Sequence, residues 1–138
     1  FIEQWPTDVP LSVELRHTDW YTDPTMADEL NDMLAQNKVC HTITDTAGRR
    51  DILHMRLTNN QCFIRFTGAN HPSDVDRLDE WFNRLTEWKE QGIEEINFFI
   101  HQTVEKDLQM LSARLAERIN KEWGYNLTIP GGEQGSLF

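Results

Sequence analysis

Four stretches of the chain pattern as β-strands, and three of them lead into stretches whose apolar residues recur every three or four positions. Leu11, Val13 and Leu15 alternate with Ser12, Glu14 and Arg16, and the turn-rich residues from His17 to Pro24 close this first strand. Thr25 then reads as the N-cap of a helix in which Met26, Leu30, Met33 and Leu34 share one face as far as Gln36. A second strand, rich in β-branched residues, covers 38–44 and ends in the loop Asp45-Thr46-Ala47-Gly48-Arg49-Arg50. Residues 51–60 stay open between two readings. Ile52, His54 and Arg56 alternate with Leu53, Met55 and Leu57 as in a short strand, yet a parallel crossover needs about a dozen residues and often a helix.

The third strand is 61–67. After Gly68-Ala69-Asn70-His71-Pro72, Ser73 or Asp74 reads as the cap of a helix striped by Val75, Leu78, Trp81, Phe82, Leu85 and Trp88 and ended by Gly92. The fourth strand is 95–101. The last helix runs from about Lys106 to Trp123 with Leu108, Leu111, Leu115 and Ile119 on its apolar face, and Gly124 closes it. From Pro130 to Ser136 the tail has no apolar period and is expected to be mobile. No internal repeat breaks the chain, so a single domain is expected over 1–138.

Strands alternating with helices imply right-handed βαβ units and a parallel sheet, hence an α/β protein. If helices cover the face bearing Val13, Leu15, Ile64, Phe66, Ile96, Phe98 and Ile100, the other face carries Ser12, Glu14, Arg16, Cys40, Thr42, Thr44, Phe63, Arg65, Thr67, Asn97, Phe99 and His101. A doubly wound sheet has two apolar faces, so this polar face points instead to a parallel (β/α) barrel interior. Such a barrel has eight strands in roughly 250 residues. Four strands therefore make about half of a TIM-like barrel, with its site at the C-terminal strand ends.

Composition narrows the partners. A net charge of −10 lacks the basic stripe that nucleic acid requires. The apolar runs, such as 96–100, fall far short of the roughly 20 residues of a membrane span, and Phe1 to Pro6 does not resemble a secretory signal. The missing initial Met suggests a fragment or a trimmed chain. Cys40 and Cys62 fall on opposite strand faces, so no disulfide is expected and a reducing, cytoplasmic setting fits.

Several stretches resemble one known family: Val13-Glu14-Leu15-Arg16-His17-Thr18-Asp19-Trp20, Thr44-Asp45-Thr46-Ala47-Gly48-Arg49-Arg50-Asp51, Leu57-Thr58 and Phe63-Ile64-Arg65-Phe66-Thr67-Gly68. They continue in order with Ser73-Asp74-Val75-Asp76-Arg77-Leu78-Asp79-Glu80-Trp81 and Phe98-Phe99-Ile100-His101-Gln102. Together they resemble the YecE-like family, a domain of unknown function, over about Leu11 to Gly124. The resemblance implies barrel proteins of roughly twice this length, of which this chain would be the C-terminal half. It carries no agreed reaction and no catalytic residues.

Among the polar-face residues, Glu14 and Arg16 lie two apart with Arg65 on another strand, an arrangement that could hold an anion beside a general acid or base. The competing reading is a buried ionic layer. His101 ends its strand where barrels place reacting groups and could shuttle protons; the competing reading is a satisfied hydrogen bond. The Asp45–Arg50 loop could bind an anion through Arg49, with Asp45 orienting Arg49 or Arg50, or be an ordinary Asp-capped turn. The loop from Thr67 to His71 before the next helix could bind phosphate, although Asp74 and Asp76 already supply the negative charge that helix start favours.

No cofactor is predicted. Glu14, Asp45 and His101 are ligand types for a divalent metal without diagnostic spacing, and His17, His41, His54 and His71 form no paired motif. Two readings stand. One is part of a barrel enzyme, or former enzyme, acting on a small anionic metabolite through Arg16, Arg65 and Arg49, with Glu14 and His101 as proton-transfer candidates. The other is a non-catalytic binding or scaffolding module. Open strand edges also predict self-association, or union with the absent N-terminal half.

Overall fold

The computed structural model describes residues 1–131; the tail beyond Gly131, where mobility was expected, lies outside the described residues. Strands and helices alternate as an α/β protein with two sheets. β1 (Ser12–Val13) pairs in parallel with β2 (Cys40–His41), and β3 (Ile43–Thr46), β4 (Gln61–Thr67) and β5 (Glu95–His101) form a second sheet in that order. The helices are α1 (Asp19–Thr22), α2 (Pro24–Gln36), α3 (Ser73–Glu90) and α4 (Glu105–Trp123). By contacts the chain divides into two compact units: Phe1–Phe66 with Gly92–Phe99, and Thr67–Gln91 with the described residues from Ile100 onward.

In the first unit, Leu30, Leu34 and Val39 are buried, and Ile2, Leu11, Val13, Leu15, Trp20 and Met33 pack around them. Only two residues of the 11–16 stretch form a ladder. Leu11 and Val13 carbonyls accept from the Cys40 and Thr42 amides at 2.9 and 2.8 Å, after which the chain leaves the sheet. The expected strand 38–44 is divided between the sheets for the same reason: β2 pairs with β1, and β3 borders β4. β4 shows the clearest period of two. Cys62, Ile64 and Phe66 are buried, whereas Phe63 and Thr67 are half-buried and Arg65 is exposed.

Residues 51–60 are neither strand nor crossover helix. A 3₁₀ turn at Arg50–Ile52 buries Ile52, and the rest is irregular backbone held by side chains. The Thr58 hydroxyl donates to the Val39 carbonyl at 2.5 Å and accepts from the His41 amide at 3.0 Å, replacing a ladder. Residues 17–24, read as a loop, contain the one-turn helix α1.

The second unit is built on α3 and α4. Leu78, Trp81, Phe82, Leu85 and Trp88 on one, and Leu111, Leu115, Ala116 and Ile119 on the other, are buried as their helical spacing predicts. Phe82 stacks on Trp123 at 5.5 Å between ring centroids, and the Trp123 indole donates to the Thr86 hydroxyl at 3.2 Å. Asp79 accepts from Arg114 Nε and Nη2 at 3.0 and 2.8 Å. Gly124 ends α4 at φ 73°, the left-handed turn for which glycine has no steric penalty.

Two caps differ from the sequence reading. Asp23, with Pro24 in the first helical position, accepts from the Thr25 and Met26 amides at 3.0 and 3.4 Å, so the cap of α2 is Asp23 rather than Thr25. At α3 the N-cap position is Pro72 with no capping side chain, because Asp74 turns back to the preceding loop. Asp23→Ala is therefore expected to cost about 1 kcal/mol in chemical denaturation and Thr25→Ala distinctly less; the reverse order would restore Thr25 as the cap.

Candidate functional site

Parity along the strands places Glu14, Thr44 and Arg65 together in the first unit. The Thr44 hydroxyl donates to Glu14 Oε1 at 2.5 Å, and Arg65 Nη1 donates to Oε1 and Oε2 at 3.0 and 2.8 Å. Arg16 Nε lies 3.4 Å from Oε2. Burial alone would raise the Glu14 pKa, but the Thr44 hydrogen bond and the charges of Arg65 and Arg16 outweigh it and hold the carboxyl below its usual range. A carboxylate so stabilised is a poor proton acceptor at neutral pH, so its chemical part is to hold two guanidinium groups in place. Both arginines remain open, with side chains 62% exposed for Arg16 and 44% for Arg65. Among the described residues, Arg65 Nε and Nη2 and both Arg16 Nη atoms have no hydrogen-bond partner.

The loop after β3 commits its arginines internally. Asp45, almost wholly buried, pairs with Arg50 at 3.1 Å. Arg49 donates to Asp51 at 3.1 Å and, through Nη2, to the Arg16 carbonyl at 3.0 Å. Arg49 thus braces the chain beside Arg16, and of the two arginines open to Asp45 it is Arg50 that pairs with it.

His101 and Thr67 belong to the second unit. The His101 side chain is exposed, and its carbonyl accepts from the Gly68 amide at 3.1 Å. The Thr67 carbonyl accepts from Arg77 at 3.2 Å. In the loop that follows, a carboxylate of the chain itself sits where an anion was conceivable. Asp74 receives the Ala69 amide on both oxygens at 2.9 and 3.0 Å, and its Oδ2 also receives His71 N at 3.3 Å and Gln102 Nε2 at 3.1 Å. Burial opposes ionisation there, but these donors and Arg77 keep the carboxyl below its usual range. Gly68 is required for this closeness: a Cβ would stand 2.4 Å from Gln102 Oε1 and 2.7 Å from Asp74 Oδ2. The Gly68, Ala69 and His71 amides of this loop are therefore already used.

One cluster escaped the sequence reading. His41 and His54 stack at 3.9 Å between centroids, and Tyr21 stacks near both. Asn31 Nδ2 donates to the Ala27 carbonyl, so its Oδ1, 2.8 Å from His41 Nδ1, accepts a proton carried there. His54 Nδ1 accepts from the Arg56 amide at 3.2 Å, leaving Nε2–H to donate to the Thr42 carbonyl at 3.0 Å. His54 is thereby neutral, and His41 Nε2 is buried with no hydrogen-bond partner among the described residues. Burial, then the neighbouring His54 and Arg56, lowers His41 to about 3, and burial also lowers His54. Burial pushes the Tyr21 phenol up to about 12, with Glu14 adding to it. It likewise raises both free cysteines, Cys62 to about 12, so neither is a ready nucleophile.

Among the described residues no group of three or more His, Cys, Asp or Glu side chains is placed to hold a metal, and no helix is long and apolar enough to cross a membrane. The family model described as "Protein of unknown function DUF72" matches residues 1–132. The chain belongs to the DUF72 family. Two crystal structures of a DUF72 family protein from Enterococcus faecalis V583, at 3.10 and 2.52 Å resolution, are similar to it with a TM-score of 0.63 each. Identity is 17% and 18%, covering 88% and 86% of this chain and 50% of that chain in both cases. This DUF72 chain thus spans about half the length of the protein it matches, and the likeness is one of fold. No curated protein matches the sequence.

The histidine pair gives this DUF72 chain a pH-dependent stability with a definite sign. Because the folded values lie below the usual 6.5, the unfolded state binds more protons in acid, so stability is complete above about pH 6.5 and falls as pH drops toward 3. The slope should reach about 1 kcal/mol per pH unit for each histidine. Denaturation midpoints at pH 7 and pH 5 should separate clearly in the parent and by about half as much in His41→Gln, where His54 still titrates, a window in which Glu14 and Asp74 stay ionised; equal separations would contradict it.

Proposed function

We propose that this chain supplies about half of a TIM-like (β/α) barrel, and that its polar face holds part of a site for a small anionic metabolite in a barrel enzyme or former enzyme. The observation that carries the reading is the Glu14 carboxyl gripping Arg65 and approaching Arg16 while, among the described residues, Arg65 Nε and Nη2 and both Arg16 Nη atoms have no hydrogen-bond partner. Two cations on one anion leave net positive charge in an acidic protein, a local inversion suited to a planar, doubly hydrogen-bonded anion. In this reading Glu14 positions the arginines and Arg49 steadies Arg16; His101 and Thr67, candidates for proton transfer and substrate contact by their strand-end positions, belong to the second unit. The half-barrel reading draws on the match to half of the Enterococcus protein and on the period of two in β4. Neutral, buried thiols accord with a reducing cytoplasm, and the acidic balance disfavours nucleic acid.

The alternative, a scaffolding module with a structural ionic layer, draws on the nearly buried Asp45 and its Arg50 pair. Titration with inorganic phosphate and acetate separates the two. The site reading expects saturable binding that weakens at least about tenfold in Arg65→Gln, with a stability change of about 1 kcal/mol or less because the pair is half exposed. Absence of binding together with a loss of several kcal/mol would favour the ionic layer.

Among the described residues the second sheet ends on β5. An open sheet edge favours pairing with another chain. Light scattering is expected to find the isolated chain self-associated at micromolar concentration; a stable monomer would overturn this expectation.

A further inference from the structure

We infer that the anion received on the polar face of the first unit is carried by a flat conjugated ring, as in an aromatic carboxylate. This rests on the anion-binding reading above and names the chemistry of its ligand. Phe63 and Arg65 alternate on β4 and so project from one face, and the Phe63 ring stacks on Phe99 of β5 at 4.8 Å and 23° between planes. Phe63 backs Phe99 on one side, yet Phe99 remains 52% exposed. An exposed aromatic ring, backed by a second ring, thus shares a face with a guanidinium group whose Nε and Nη2 are unpartnered among the described residues.

Neither feature alone specifies a ligand, but together they do. A bare phosphate would satisfy Arg65 and leave Phe99 in water. A flexible fatty chain would cover Phe99 without the preference that aromatic rings show for stacked or edge-on partners. Arg65 lies one pleat beyond Phe63 on β4, so a planar ring laid on Phe99 can carry its carboxylate across to the neighbouring strand, where the two-pronged guanidinium matches it. Asn97, two residues before Phe99 on β5, has its side-chain amide directed to the Cys62 carbonyl and the Glu95 carboxylate, so it offers that ring no competing donor.

The test is an NMR titration of the full chain with benzoate, cyclohexanecarboxylate and acetate. Benzoate is expected to bind about fivefold more tightly than cyclohexanecarboxylate, which has the same charge and nearly the same size but no flat face. Phe99→Leu should bring that ratio to about one while leaving acetate affinity unchanged, which also shows that the variant is folded. Were Phe99→Leu not to fold, the ratio in the unaltered chain would still decide. Equal affinities for the two six-membered acids, or a ratio that survives Phe99→Leu, would overturn the ring inference alone, provided acetate binding is lost in Arg65→Gln. No saturable shift with any of the three anions would overturn both the ring and the anion site.

Discussion

Burial works to protonate the Glu14 carboxyl, and the Thr44 hydroxyl and two guanidinium groups work against it; the donors win, and the polar face depends on that outcome. Glu14 follows β1, Thr44 lies in β3 and Arg65 in β4, so one carboxylate ties three separated stretches of chain. Ser12 repeats the pattern one pleat earlier, its hydroxyl 2.5 Å from that of Thr42. A row of small hydroxyls and one charge can line a sheet face only when each finds a partner, since an unpaired polar group there costs a substantial part of the stability of a small domain.

Side-chain parity explains why this cluster was legible in the sequence. Once Ile64 and Phe66 are assigned to the buried face, Arg65 must lie opposite, and Glu14 follows in the same way from Val13 and Leu15. The stripes of α3 and α4 were equally legible, because their Trp, Phe and Leu residues repeat at the helical period over 18 and 19 residues. What parity could not supply was the chemical consequence. Glu14 looked like a proton carrier from its residue type, and only its three partners show that it is held as an anion.

The remaining features were hidden for specific reasons. His41 sits on a two-residue strand and His54 in backbone with no period at all, so nothing in their spacing of thirteen residues announces a stacked pair. Asp74 sits in the first turn of α3, where an acid is expected to answer the helix dipole, but its oxygens reach back to Ala69 and His71, beside a glycine at 68 whose missing Cβ leaves the Asp74 and Gln102 side chains room. The cap of α2 was displaced because Pro24 can occupy the first helical position, which shifts the capping role two residues earlier than Thr25.

These placements bear on what kind of chemistry the face can support. A proton carrier needs a pKa near the ambient pH, and the groups set most firmly in the first unit have been moved away from it: Glu14 below, His41 and His54 below, Tyr21 above. Each keeps one charge state through the neutral range, which is what a binding surface requires and a general acid or base must avoid. The arginines complete this division, being permanently charged and fixed in orientation by a carboxylate that does not titrate near neutrality. On the proposed reading, the part this face plays is to hold and orient a ligand rather than to move protons.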